Sequence, residues 1–235
     1  MKLNGSCIAA AALFASLQLV TAGDITGKIT LKGTPQPEKE LPLDPNCGKL
    51  HEGGPKPTTR FYVVGKGGEL ADVFVYVKDG LTGKTFPVPE KPGLLDQKGC
   101  EYSPYVSGLQ TNQKLLVRNS DPVLHNVHPT PAVAGNKEMN QAQMPKGKDL
   151  EFVFPKEEIM LRFKCDVHPW MFSYVSVVDH PFYSVSGTDG TFKISNLPAG
   201  KYTIEAVHRK GGKQTQEVTV EASGAKEANF TFEAK

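Results

Sequence analysis

The stretch Leu161-Arg162-Phe163-Lys164-Cys165-Asp166-Val167-His168-Pro169-Trp170-Met171 joins an alternating segment to a short loop. Apolar and charged residues alternate over its first five positions, which predicts a half-buried β-strand with Cys165 on the inward face. The loop then carries a thiol, an imidazole and a thioether, on Cys165, His168 and Met171. Pro169 fixes its own φ and stiffens the loop. We therefore expect these three side chains to converge on one point.

A second imidazole is available upstream, in Leu124-His125-Asn126-Val127-His128. The two histidines are three positions apart, so in an extended segment they face opposite sides and only one should reach a shared metal. Two histidines, one cysteine and a weak axial methionine form the ligand set of a blue-copper electron-transfer site. The residues thus predict one copper ion that alternates between Cu(I) and Cu(II). Such a set leaves no open position for a substrate, so we do not predict an enzyme.

The rest of the chain predicts an all-β protein with sandwich or barrel architecture. Short runs with period-2 alternation are separated by turns, and no window after the first residues has a persuasive helical period. The proline-rich segment from Gly33 to Thr59 is expected to be an extended surface loop. The predicted strands lie around Ile25–Leu31 and over Ala71–Lys78, Lys114–Asn119, Leu150–Phe154, Met160–Cys165, Tyr174–Asp179, Thr191–Ser195, Lys201–Val207, Glu217–Glu221 and Ala228–Phe232.

The motif His-Asn-Val-His, followed by Cys-x-x-His-Pro-x-Met, resembles that of the cupredoxins, and most closely the amicyanin branch with its short ligand loop. Residues 100–180 carry the resemblance, including Gln113-Lys114-Leu115-Leu116-Val117-Arg118-Asn119. The resemblance implies a Greek-key β-sandwich. It also implies a ligand set, a non-ligand role for His128 and a hydrogen-bonding role for Asn126 between the ligand segments. The implied ligands are His125, Cys165, His168 and Met171.

Asp166 departs from the pattern of that family, because short-loop relatives usually have a proline in this part of the loop. A negative charge beside the metal favours Cu(II), so we expect Asp166 to lower the reduction potential. Electrons are expected to enter or leave through the His168 edge. Trp170 and Phe172 either cover the site or form an apolar patch on which a redox partner docks.

A second resemblance lies in the tail. Residues 187–206 hold two alternating segments between the turns Asp189-Gly190 and Pro198-Ala199-Gly200, and they are similar to the carboxypeptidase regulatory-like, or transthyretin-like, β-sandwich. That family is non-catalytic and usually opens with a strand like the one at Ile25 to Leu31, which here lies far upstream. The predicted organisation is a signal peptide at 1–22, an N-terminal β region at 23–95, a cupredoxin domain at 96–180 and a regulatory-like segment at 181–235. The outer parts form either one discontinuous domain or two consecutive ones.

The first residues have the features of a secretory signal: Lys2, an apolar run from Ile8 to Val20, and small residues at Val20-Thr21-Ala22. Without residues 1–22 the chain has 26 basic and 25 acidic residues, which gives no argument for binding nucleic acid or an anionic membrane. No later segment is apolar enough for a membrane anchor. We therefore expect an exported protein, periplasmic or extracellular.

Three cysteines remain after removal of the signal. In an oxidising compartment Cys47 and Cys100 are candidates for a disulfide that leaves Cys165 free for the metal, although pairing does not follow from sequence. Cys47 and His51 are the alternative, as a metal-binding pair. His51, His180 and His208 stand among polar residues and are expected at the surface.

The leading hypothesis for function is a one-electron carrier whose partner is a redox protein, such as a c-type cytochrome or an exported oxidoreductase. A secreted binding or scaffold module, with carbohydrate as one candidate ligand and with a structural cupredoxin part, is the second. Copper delivery to another exported protein is the third.

Overall fold

The computed structural model describes residues 22–235, which form seventeen strands and one short helix. All of the predicted signal peptide except Ala22 lies outside these residues. The all-β class predicted from the sequence is confirmed. Within 22–235 no helix is long and apolar enough to cross a bilayer. The elements are β1 (Ala22–Lys32), α1 (Pro45–Lys49), β2 (Phe74–Asp79), β3 (Gly93–Gln97), β4 (Tyr102–Ser103), β5 (Val106–Gln110), β6 (Lys114–Asn119), β7 (His125–Thr130), β8 (Gln141–Gln143), β9 (Leu150–Val153), β10 (Glu158–Lys164), β11 (Phe172–Val178), β12 (Tyr183–Val185), β13 (Thr191–Pro198), β14 (Gly200–His208), β15 (Gly212–Val220), β16 (Ala225–Glu227) and β17 (Phe230–Glu233).

Two sheets are built from the two ends of the described chain. In one, β1 pairs with β13, β16 and β17, and in the other the order is β12-β2-β14-β15. Their apolar faces share one core, which includes Ile29, Val75, Ile204 and Phe230. Gly27 of β1 lies so close to the last strands that a Cβ there would be 1.8 Å from the carbonyl oxygen of Ala228. A glycine is therefore required where these strands approach each other.

The middle of the chain forms two further sheets, with orders β5-β11-β10-β7-β8 and β4-β3-β6-β9. They enclose a second core, in which Phe163 of β10 packs edge-on against Phe152 and Phe154. Leu161, Phe163 and Cys165 are buried, as their alternation with charged residues predicts. Cys165 itself lies just beyond the end of β10, where the loop to Met171 begins.

Strand β2 connects the two pairs of sheets, and it is buried on both faces. Val75 and Val77 face the first core, whereas Phe74 and Tyr76 pack in a third cluster with Val106 and other residues from the middle of the chain. This two-sided burial explains why its sequence is a continuous apolar run. β2 also pairs with β12. The chain therefore leaves the first pair of sheets after β2 and returns to it at the neighbouring strand β12. The predicted boundary between residues 95 and 96 lies inside β3.

The segment between β1 and β2 returns over the middle sheets. Its residues 38–60, here called the strap, form a narrow hairpin in which Leu41 N–H donates to Pro57 O and Thr59 N–H donates to Lys39 O. α1 lies at the tip of this hairpin, with Asp44 as its N-cap and Pro45 in its first turn. The loop expected at Gly33 to Thr59 therefore contains an ordered turn of helix. The helix has no apolar period because it is only five residues long.

Candidate metal centre

Two imidazoles and one thiol meet at the end of the second core. The Nδ1 atoms of His125 and His168 are 3.0 Å apart, and Cys165 Sγ is 3.6 Å from His168 Nδ1. Ligand atoms of these three residues all lie within 4.8 Å of one another. His125 is fully buried, Cys165 is 2% exposed and His168 is 7% exposed. Strand β7 supplies His125, and the loop after β10 supplies the other two residues.

The ligand loop is closed by its own backbone. Cys165 N–H donates to Met171 O at 3.0 Å, and Met171 N–H donates to His168 O at 2.9 Å. Met171 is 1% exposed and packs in the same core cluster as Cys165. These two bonds hold the first, fourth and seventh residues of the loop in a fixed arrangement.

The surroundings of the Cys165 sulfur favour its thiolate form. Burial alone would raise the pKa of the thiol, but hydrogen bonds from His125 and from backbone N–H groups outweigh burial, and the pKa lies below its usual value. One of those donors is Asn126 N–H, 3.3 Å from Sγ. Among the described cysteines, Cys165 is the one outside a disulfide. The thiolate is the form that binds metal.

Asp121 orients His125. Its Oδ2 accepts the Nε2–H of His125 at 2.8 Å and also the backbone N–H of Cys100 at 2.8 Å, while Oδ1 accepts Gly99 N–H at 2.7 Å. When the ring is neutral, this carboxylate keeps the one remaining proton on Nε2, so Nδ1 is the nitrogen that loses its proton and offers a lone pair to a metal. Burial lowers the pKa of His125, but its hydrogen bonds to Asp121 and Cys165 reverse this and raise the pKa overall.

His168 is contacted from the strap. Its Nε2 lies 3.3 Å from Asp44 Oδ2, and the ring of Trp170 packs against it with centroids 5.2 Å apart. Burial, with the nearby His125 charge, lowers the pKa of His168. The His168 edge, through which we expected electrons to pass, is therefore covered. Trp170 is half-buried and its indole N–H donates to Cys100 O at 3.2 Å.

Asn126 and Asp166 join the two ligand segments. Asp166 N–H donates to Asn126 Oδ1 at 2.8 Å, which ties β7 to the ligand loop. The Asp166 carboxylate accepts from Lys164 Nζ and from His128 Nδ1, both at 2.8 Å. These bonds lower the pKa of Asp166 to about 2, and the bond from Lys164 has the largest effect. The negative charge of Asp166 is thus matched by a cationic neighbour.

His128 is turned away from the candidate centre. Its Nε2 is 2.7 Å from Glu138 Oε1, and its Nδ1 faces Asp166. The structure groups His125 with Cys165 and His168 and places His128 on the opposite face of β7, as expected for residues three apart in a strand.

Cys47 of α1 and Cys100 form a disulfide, and both are fully buried. His51 does not share a metal group with Cys47, since its Nε2 bonds to the carbonyl oxygen of Gly99 at 2.7 Å. The expectation that His180 and His208 lie at the surface is wrong, because each is 3% exposed. His180 Nε2 bonds to Val77 O, whereas His208 Nδ1 accepts Gly211 N–H at 2.9 Å and its ring stacks on Tyr62.

Sequence reasoning missed both carboxylates that contact the histidines. Asp121 is four residues before His125, a local spacing that could have drawn attention to it. Asp44-Pro45 is an N-cap signal that could have predicted α1. Nothing in the sequence places Asp44 beside His168, because the two are far apart in the chain.

The donor set fits copper. Nitrogen and sulfur ligands of one metal ion have bonds of about 2.0–2.3 Å. The separations of 3.0 Å and 3.6 Å allow one ion to reach all three atoms. Two imidazoles and one thiolate, with Met171 in the same buried cluster as Cys165, match the preferences of copper. The residues that would hold it are His125, Cys165, His168 and Met171.

No protein-family model and no curated protein sequence matches the chain. Among solved structures, an oxidized amicyanin variant is 17% identical over 44% of this chain and 97% of its own, with a TM-score of 0.33. A purple cupredoxin from Nitrosopumilus maritimus is 22% identical over 36% of this chain and 98% of its own, with a TM-score of 0.30. A copper-containing nitrite reductase from Thermus scotoductus SA-01 is 17% identical over 43% of this chain, which spans 27% of that enzyme, with a TM-score of 0.34. Each similarity covers less than half of the present chain.

Proposed function

We propose that the chain is an exported type 1 copper protein that carries single electrons and is not an enzyme. The observation that carries the proposal is the convergence of His125 Nδ1, His168 Nδ1 and Cys165 Sγ in a buried pocket. Bound copper supplies one-electron exchange between Cu(I) and Cu(II). The protein itself supplies the thiolate, the correct histidine tautomer and the exclusion of water.

Rigidity supports electron transfer rather than substrate chemistry. The ligand loop is held by its own backbone bonds, His125 by Asp121, and the two ligand segments by Asn126. Ligands that cannot rearrange keep one geometry for both oxidation states, which keeps the reorganisation energy small. The same burial, with each of the three ligand residues at most 7% exposed, argues against access by a substrate.

The domain organisation proposed here is a cupredoxin unit inserted into a carboxypeptidase regulatory-like sandwich. The pairing of β1 with β13, β16 and β17 supports it, because these strands come from opposite ends of the described chain. The outer sandwich would then be a structural or binding module. Export places the protein in the periplasm or outside the cell, where a c-type cytochrome or an exported oxidoreductase is the proposed redox partner.

An optical titration tests the proposal. The purified protein, loaded with Cu(II), should show an intense thiolate-to-copper charge-transfer band that a reductant bleaches reversibly. Cys165→Ser and His125→Ala should abolish the band. His128→Ala is the matched control: it removes a neighbouring histidine that faces away from the centre and should keep the band. A copper-loaded protein that stays colourless contradicts the proposal.

A further inference from the structure

The tip of the strap is bonded to the candidate metal centre on two sides. On one side, Asp44 Oδ1 accepts Cys47 N–H at 3.1 Å, and its Oδ2 lies 3.3 Å from His168 Nε2. On the other, Asp121 Oδ2 accepts both Cys100 N–H and His125 Nε2–H. Each half of the disulfide therefore donates a backbone N–H to the carboxylate that contacts one ligand histidine.

The disulfide is also adjacent to His168. Its two sulfur atoms and a nitrogen of His168 lie within 4.8 Å of one another. Within residues 22–235 few other bonds fasten the tip: His51 Nε2 bonds to Gly99 O, whereas the backbone bonds at Leu41 and Thr59 lie within the strap itself. The cross-link at Cys47 is thus the covalent attachment of the tip to the ligand-bearing unit.

We propose that Asp44 is a positioning residue for His168 and that the strap, fastened by the Cys47–Cys100 disulfide, closes the His168 edge. The Asp44 carboxylate lies 3.3 Å from Nε2 and favours the ring form that carries its proton there, which leaves Nδ1 as the metal-binding atom, as Asp121 does for His125. The ring face beside α1 is then closed to a docking partner.

This proposal rests on the proposed function for its role in electron transfer, but the closure itself is testable without metal. In the metal-free full chain, diethyl pyrocarbonate acylates imidazole nitrogens that solvent can reach, and peptide mapping reads the rate at His168. Asp44→Ser keeps an N-cap hydroxyl for α1 but is too short to contact His168. We expect acylation of His168 to be about tenfold faster in this variant, the factor that corresponds to about 1.4 kcal/mol of lost closure.

Opening the disulfide should have the same effect by a different route. The Cys47→Ser/Cys100→Ser variant, with its fold checked by circular dichroism, should also acylate faster at His168. Asp189→Ser is the matched control, because Asp189 likewise accepts a backbone N–H, from Thr191, in a turn of the outer sandwich. It should leave the His168 rate unchanged. A native rate in both strap variants overturns the proposal.

The copper-loaded protein then tests the positioning role. Removing a negative charge that contacts a ligand destabilises Cu(II), so Asp44→Ser should raise the reduction potential while Asp189→Ser leaves it unchanged. An unchanged potential in Asp44→Ser overturns the positioning role. If the copper-loaded protein shows no blue band, the proposed function is wrong. The acylation rates of the metal-free chain still decide whether the strap closes His168.

Discussion

Asp121→Asn should loosen His125 without removing any ligand. The carboxylate accepts three N–H groups and its side chain is 4% exposed. An asparagine has one acceptor oxygen. If that oxygen takes the place of Oδ2, it still accepts the N–H groups of Cys100 and His125. The amide nitrogen then faces Gly99 N–H, which leaves a donor without an acceptor.

The magnitude follows from these contacts. An unsatisfied N–H costs about 1–3 kcal/mol, and replacing a charged acceptor by a neutral one roughly halves the strength of the bond to His125. We therefore expect the metal-free protein to lose about 2–4 kcal/mol of unfolding free energy. The affinity for copper should fall about 10- to 100-fold, as is typical when the partner of a ligand histidine is removed.

Two measurements check this prediction. Competition against a chromophoric chelator gives the Cu(I) affinity, and urea unfolding of the metal-free protein gives the stability. Asp149→Asn is the control, since that carboxylate pairs with Arg118 at the surface of the same unit. An Asp121→Asn protein that binds copper within about twofold of the native protein would refute the reasoning, because a factor of two is only about 0.4 kcal/mol.

Three further changes test other parts of the molecule. Burial lowers the pKa of His208 to about 4. Below about pH 6.5 the unfolded chain therefore binds more protons than the folded protein, and the free energy of unfolding decreases as the pH is lowered. Between about pH 7.5 and about pH 4.5 the native protein should lose about 2.5 kcal/mol more than His208→Phe in urea unfolding; equal losses contradict this. Asn126→Leu should cost about 1–3 kcal/mol of stability by freeing Asp166 N–H, yet keep the position of the blue band, because the backbone bond to sulfur remains. Gly27→Ala should cost about 1–3 kcal/mol or more in thermal unfolding, since its Cβ would overlap the oxygen of Ala228.

Local patterns predicted the parts of the fold and site that depend on neighbours in sequence. Period-2 alternation located β10 and turned Cys165 inward, and the spacing of His125 and His128 implied that they face opposite sides. The short strands β4 and β8 have no such pattern, because two or three residues are too few for a period. Their pairing depends on the neighbouring strands rather than on their own composition.

Contacts between distant segments could not be predicted in this way. The partner of Asp44 is more than a hundred residues away, and the burial of His180 depends on a carbonyl oxygen 103 positions earlier. Polar residue types carry no sign of such partners, so the sequence predicted a solvated loop and surface histidines. Long-range contacts hold Asp44 beside His168 and bury His180.

The pairing of β2 with β12 has a consequence for how the chain folds. About a hundred residues separate these strands, and closing a flexible loop of that length costs about 4 kcal/mol in chain entropy. If the middle sheets fold first, they bring the paired residues Tyr76 and Tyr183 together beforehand, and the outer strands no longer bear that cost. β1 must then wait for β17, its parallel partner, which is synthesised much later. Assembly would therefore proceed from the centre of the sequence outward.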